Sequence, residues 1–276
     1  MLWGVDNWEE GEAQATVQHA IAASRHLDPI PESFHIALQA AAAKRNMCLV
    51  ELLLKVEGIN PNFRGCLDLT PLALAANEGH VAIVELLLAK VNVDPNVILP
   101  SGNHTLAYSA SNGWHAIVKL LLDRPEIDPN FIAKDKFGGK KSALMEAREP
   151  AMAKLLLDRE NIDVNCRDGL GCTALSYAAY YHRFEVVELL LGRDDINVNL
   201  ADDEEKVPLY FACRSDCVTT VRLLLSRPDT DPNLVDTNGI SILRLSRFRG
   251  TKEIESLLLD AGARYGSILL VVRGTF

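Results

Sequence analysis

The sequence predicts an all-α solenoid, in which short helix-turn-helix units stack side by side and are joined by β-hairpin-like fingers. Two spaced markers and the composition make that prediction. The triplet Leu-Leu-Leu recurs at 52–54, 86–88, 120–122, 155–157, 189–191, 223–225 and 257–259, in steps of 34, 34, 35, 34, 34 and 34 residues. Six of these triplets are followed at a constant gap by an Asx-x-Asn element: Asn60-Pro61-Asn62, Asp94-Pro95-Asn96, Asp128-Pro129-Asn130, Asp163-Val164-Asn165, Asn197-Val198-Asn199 and Asp231-Pro232-Asn233. Two independent markers on one period exclude coincidence and point to a repeat array rather than one large core. With 48% hydrophobic and 24% charged residues over 276 positions, the chain has the apolar content to bury such a stack and is not disordered by composition.

Taken in chain order, residues 1–34 read as an N-terminal capping helix and linker. Val17, Ala20 and Ile21 have helical spacing between Glu12 and Arg25, Asp28-Pro29 ends the segment, and Trp3 and Trp8 are expected to anchor it by packing. Residues 35–265 form the array of about seven repeats. In a representative unit, Thr70 caps a first helix that starts at Pro71, where a missing N–H costs nothing. Glu78-Gly79-His80 ends that helix with a left-handed Gly, and Val81, Val84, Leu87 and Leu88 form one face of a second helix. Asp94-Pro95-Asn96 then turns the chain into the finger. One such pair cannot bury its own apolar face, whereas stacked neighbours can.

The fourth unit is irregular. Its finger, Phe131 to Lys141, is four residues longer than its neighbours; its helix pair, Ala143 to Leu157, is three shorter and carries Arg148-Glu149-Pro150 in place of the Gly turn. Pro150 forces a break before the second helix. The last unit has Ser246-Arg247 where inner units have Ala75-Ala76 or Ala212-Cys213, with Arg244 and Arg249 nearby, and reads as a polar end cap. Residues 266–276 form a tail whose run Ile268-Leu269-Leu270-Val271-Val272 is β-branched; it is expected to fold back on the last repeat or to recruit a partner strand.

A helix pair of this length also suits a tetratricopeptide unit, but those join helices directly, without an extended segment after the turn. Thr70-Pro71-Leu72, Leu74-Ala75-Ala76, Gly79-His80, Val84, Leu86-Leu87-Leu88 and Asp94-Pro95-Asn96, with the finger Asn233 to Ser241 and its Asp236-Thr237-Asn238-Gly239 tip, resemble the ankyrin-repeat pattern. The link after the triplet, such as Leu122 to Asp128, is one residue longer than the usual ankyrin form and is similar to the version common in fungal ankyrin arrays. The His that ordinarily follows Thr-Pro-Leu and ties neighbouring loops is replaced by Gln39, Ala73, Ala107, Met145, Ser176, Tyr210 and Arg244, so weaker hydrogen bonding between loops is expected.

The formal charge of −9 argues against a nucleic-acid binder, because neutralising phosphates takes an excess of Lys and Arg. No basic leader and no apolar run of about 20 residues precedes or interrupts the array, so no membrane association is expected. Six Cys without paired C-x-x-C spacing read as reduced thiols, with Cys213 in a packing position and Cys217 exposed at a turn. A monomer in the cytoplasm or nucleus is the expected setting.

Of the seven His, His80 occupies the Gly-His turn and His104 a helix cap; His19, His26, His35, His115 and His182 are scattered and read as structural. No nucleophile elbow, phosphate loop, dinucleotide fingerprint or metal set is present, and Gly138-Gly139-Lys140-Lys141-Ser142 reads as a basic finger. No catalytic residue, cofactor or metal is predicted. The expected function is protein binding as a scaffold or adaptor; the alternative is a small-molecule or catalytic site in a cleft near the fourth repeat.

In ankyrin arrays the residues just after Leu-x-Ala-Ala face a concave groove, and the resemblance places Ala43, Lys44, Asn77, Glu78, Ser111, Asn112, Tyr180, Tyr181, Arg214, Ser215, Phe248 and Arg249 there. Tyr, Phe and Arg dominate interface energy, so Tyr180, Tyr181, Arg214, Phe248 and Arg249 are the candidate contacts for a protein or peptide partner. Tyr177 and Phe211 replace the core Leu74 and read as packing between helix and finger. The sixth finger carries the acidic run Asp202-Asp203-Glu204-Glu205, a solvated tip or a dock for a basic partner, while the fourth carries Lys134, Lys136, Lys140 and Lys141.

Overall fold

The computed structural model describes residues 31–65, 68–90, 92–99, 103–133 and 140–265. The expected capping helix with Trp3 and Trp8, the tail, and Lys134 and Lys136 of the fourth finger lie outside the described residues. The described helices form two compact units that meet in sequence between Asp128 and Pro129.

The first unit holds three helix pairs: α1 (Glu32–Ala43) with α2 (Met47–Leu53), α3 (Pro71–Asn77) with α4 (Val81–Leu88), and α5 (Thr105–Ser111) with α6 (His115–Leu122). The second holds four: α7 (Ala143–Glu146) with α8 (Pro150–Leu157), α9 (Ala174–Tyr180) with α10 (Phe184–Leu191), α11 (Pro208–Arg214) with α12 (Val218–Leu225), and α13 (Ile242–Arg249) with α14 (Lys252–Asp260). Within each unit first helices pack on first helices and second on second. The core is Ala75, Ala76, Ala178, Ala179 and Ala212 between first helices and Val84, Leu87, Val187 and Leu190 on the second, all essentially without solvent exposure. Small side chains bring the short helices close, and each buried Leu or Val contributes about 1.5–3 kcal/mol.

Caps follow the sequence reading. Thr70 Oγ1 accepts from Ala73 N, Thr173 Oγ1 from Ser176 N, and Ser241 Oγ from Arg244 N. Pro71, Pro150 and Pro208 stand in the first turns. The turn between paired helices takes one left-handed residue, Gly79, Gly113 or Gly250, and Arg45, His182 and Asp216 adopt the same conformation without being glycine. At Gly79 a Cβ would sit 2.9 Å from the Trp114 ring, so close packing also demands glycine there. The fingers contain no strand among the described residues; two are pinned by a single antiparallel bridge, Ile98 to His104 and Val235 to Ser241.

Hydrogen bonding between repeats is carried elsewhere than expected. The last Asn of an Asx-x-Asn element spans to the next repeat through its side chain, Asn96 donating to Glu126 O and five others using both side-chain atoms: Asn165 Nδ2 donates to Asp195 O at 2.7 Å and its Oδ1 accepts from Asn197 N at 2.8 Å. Asn62, Asn130, Asn199 and Asn233 do the same with their following repeats. The longer link adds an Arg that reaches back to the orphan carbonyl at the end of the preceding second helix: Arg124 to Leu88 O, Arg193 to Leu157 O and Arg227 to Leu191 O. Arg193 and Arg227 are held for this by two-point pairing with Asp195 and Asp229. Gln39 also serves in place of the usual His, donating to Phe63 O and Leu69 O. Loop tethering in this chain therefore runs through Asn and Arg side chains and Gln39.

The truncated fourth repeat is repaired by its neighbour. Arg183 donates to Met145 O at 3.1 Å and Ala147 O at 3.0 Å, satisfying carbonyls that the four-residue α7 leaves without helical partners. Two expectations are corrected here. Cys217 is buried, its thiol 3.0 Å from Thr220 Oγ1, although the equivalent Trp114 and Glu149 before other second helices are exposed. Ser246 is likewise buried and donates to Leu243 O, so the polar end face belongs to Arg244, Arg247 and Arg249 alone.

Candidate functional site

In the second unit, residues 180, 214 and 248 occur at the same place on successive first helices, one 34-residue period apart. They place Tyr180 (38% exposed), the exposed Arg214 and Phe248 (91% exposed) on one face. The row behind them, Tyr177, Phe211 and Leu245, is half-buried and supports them.

Around Tyr180 the side chains form a continuous aromatic and cationic cluster. Its ring meets Tyr181 edge-on at 5.1 Å and Phe211 edge-on at 6.2 Å, and Tyr177 stacks parallel to Tyr181 at 6.2 Å. Lys141 Nζ stands 3.9 Å from the centre of the Tyr177 ring, Arg183 lies 5.1 Å from that of Tyr181, and Arg214 is 6.0 Å from that of Tyr180. Tyr177 donates to Asp168 Oδ2 at 2.7 Å; burial first, and then this bond, push its phenol well above the usual range, so it stays neutral. Tyr177 is thus the strut between helix and finger that the sequence suggested. A hollow of about 160 Å³ opens between Tyr177, Tyr180, Tyr181, Phe211 and Arg214.

Tyr181, though 49% exposed, is gripped by Tyr177, Lys141 and Arg183, which makes it part of the wall and a contributor to stability. Arg249 is committed to Asp216 at 2.9 Å. Asp216 also accepts from Thr251 Oγ1 at 2.7 Å, and that bond followed by Arg249 holds its carboxyl below the usual range. Phe248, by contrast, edges a second, larger hollow of about 500 Å³ with Ile240, Leu245, Arg244 and Arg247.

Three of the four acids in the run make contacts within the array while Glu205 stays exposed. Asp202 Oδ1 accepts from Glu204 N and Lys206 N, closing the tip as Asp168 and Asp236 close theirs. Asp203 pairs with Arg167 of the preceding finger at 3.0 Å, and Glu204 with Lys206. Glu205 occupies the left-handed position, φ 59°, that Gly171 and Gly239 fill in the neighbouring fingers. Sequence reasoning missed this because Arg167 lies 36 residues earlier, although the shared Asp at 168, 202 and 236 is a signal that the first acid of the run is structural.

Cys172 backs the cluster, its thiol pushed up to about 12 by burial and then by Asp168 and Asp202, so it is no nucleophile. Beside the fourth repeat, a hollow of about 670 Å³ between α8 and α10 is lined by Lys154, Asp158, Glu185, Glu188 and Arg193 without a His or Cys. Among the described residues no group of His, Cys, Asp and Glu is placed to hold a metal ion, and no helix is long and apolar enough to cross a membrane.

The family model described as ankyrin repeats matches in three overlapping copies, over residues 35–133, 110–202 and 142–236. A crystal structure of an ankyrin repeat domain from Acinetobacter baumannii AYE aligns with 24% identity over 82% of this chain and 98% of that one, at a TM-score of 0.47. No curated protein matches the chain.

Proposed function

Since the chain belongs to the ankyrin-repeat family, whose arrays are generally protein-interaction modules, we propose that it is a scaffold or adaptor that binds a protein partner through the first-helix face of its last three repeats. The observation that carries this reading is the exposed row Tyr180, Arg214 and Phe248 beside two open hollows, with Arg214 in no direct ion pair among the described residues. Among the described residues none covers these exposed groups, and aromatic and Arg side chains are the ones that anchor interfaces. The acidic tip and Arg249 are left to structural roles. A monomeric protein of the cytoplasm or nucleus suits this reading.

The test is affinity capture from the native cell with the whole chain and with a Tyr180→Ala/Arg214→Ala variant, Tyr181 being left intact because it supports the fold. Loss of at least ~2 kcal/mol of partner affinity, about 30-fold, is expected with unfolding unchanged. Equal capture by both proteins would remove the groove from the binding function.

A further inference from the structure

The two hollows and the cation between them specify more than a generic partner. First helices of adjacent repeats pack with axes about 8–10 Å apart, and a peptide in the extended polyproline II conformation advances about 3.1 Å per residue with three residues per turn. A ligand of that conformation crossing α9, α11 and α13 therefore turns one side chain toward each repeat at every third residue. Residues 180, 214 and 248 present it in turn with an aromatic wall, a guanidinium and a second aromatic wall. The first hollow, about 160 Å³, matches the size of a cavity that accepts a benzene ring. The second, about 500 Å³, is framed by Ile240, Leu245 and Phe248 with Arg244 and Arg247 at its edge.

Charge selects the polarity of the occupant. Four acids of this region are already engaged, Asp203 with Arg167, Glu204 with Lys206, Asp216 with Arg249 and Asp168 with Tyr177, while Glu205 remains exposed at the finger tip. Arg244 is exposed and in no ion pair among the described residues, Arg214 is exposed and in no direct ion pair although its charge acts on the Glu204 carboxylate, and Arg247 stands 5.8 Å from the centre of the Tyr265 ring rather than beside an acid. A chain of net charge −9 thus keeps a cationic, aromatic strip on this one face. Apolar hollows alternating with single cations suit side chains of a peptide better than the evenly spaced phosphates of a nucleic acid, which the overall negative charge also repels.

Resting on the groove-binding reading above, we propose that the ligand is an extended acidic peptide with two apolar side chains about six residues apart and a carboxylate midway between them. The apolar side chains enter the two hollows, and the carboxylate pairs with Arg214.

The experiment pans a random twelve-residue display library against the whole chain and against an Arg214→Glu/Arg244→Glu variant, whose exposed positions leave folding intact as checked by circular dichroism. The native chain is expected to enrich apolar-x-x-(Asp/Glu)-x-x-apolar sequences. Changing the middle acid of an enriched peptide to Lys should weaken binding at least 10-fold by fluorescence anisotropy, and the charge-reversed variant should restore it. Enrichment without the midway acid, no enrichment at all, failure of the charge swap, or stronger binding of a labelled twelve-nucleotide DNA strand at the same residues would each overturn the proposal. If those results came with cellular capture still sensitive to Tyr180→Ala/Arg214→Ala, the peptide class alone would fall; if capture were insensitive too, the groove reading would fall with it.

Discussion

His104 makes one repeat acid-sensitive in a way its counterparts are not. It occupies the cap position held by Thr70 and Thr173, with Nδ1 accepting from Leu106 N at 3.3 Å and only 2% of its surface exposed. Burial lowers its pKa from the ordinary 6.5 to about 4, against the smaller opposing pull of Asp128 and Asp94. Between these values the unfolded chain binds a proton that the folded one refuses, so stability falls as pH drops from about 6.5 to about 4 and levels off below. At ~1.36 kcal/mol per pH unit, the full contribution is about 3 kcal/mol. Protonation also removes the lone pair that accepts from Leu106 N. The variant His104→Thr restores a hydroxyl cap and removes the titration. Its stability at pH 7 should lie within about 1–2 kcal/mol of the native chain. Thermal unfolding followed by circular dichroism from pH 7 to pH 4 should show the native midpoint falling further than the variant's, by roughly 6–12 °C. Parallel curves for the two proteins would refute the buried-neutral assignment, since acid effects on the many carboxylates are common to both.

Two further perturbations test how the repeats are joined. Asn165→Ala deletes both atoms that span to the next repeat and should cost about 1–2 kcal/mol in urea unfolding, with Asn165→Asp, which keeps the acceptor, losing less; unchanged midpoints would deny the tether any energetic role. Glu205→Gly relieves a left-handed backbone at an exposed tip where the adjacent fingers already carry Gly171 and Gly239, and should raise stability by about 0.5–1 kcal/mol, whereas a loss would mean that the Glu205 side chain makes a contact that matters.

The helix pairs were legible because they depend on local signals. Thr70 before Pro71, Gly79 after a run of Ala, and Val84 with Leu87 and Leu88 each specify their own surroundings within one turn of helix. The tethers were not legible, for a physical reason: Asn165 bonds a backbone carbonyl and a backbone amide about 30 residues away, and backbone groups leave no trace in residue type. The Asx-x-Asn element was visible as a marker of the period, but its sequence alone accounts only for the turn that Asp163 makes by accepting from Asn165 N. The same limit hid the back-reaching arginines, although the extra residue in each link was the sign that something had to be accommodated there.

Side-chain charge was misleading for a related reason. An acidic run looks like a docking surface when its partners are unknown, and Asp203 and Glu204 find theirs in Arg167 and Lys206, one of them a full repeat away. Asp202 is not surface charge in any functional sense, because its carboxylate completes the backbone of the finger. Exposure alone therefore does not mark a binding residue in a stacked array, where each repeat can neutralise its neighbour. What marks one is exposure that remains after neighbouring repeats have taken their partners. By that criterion Asp202, Asp203 and Glu204 drop out, Arg249 drops out with Asp216, and Tyr181 becomes wall. Arg214, flanked one period away on each side by Tyr180 and Phe248, stays out of any direct ion pair among the described residues and keeps its access to solvent.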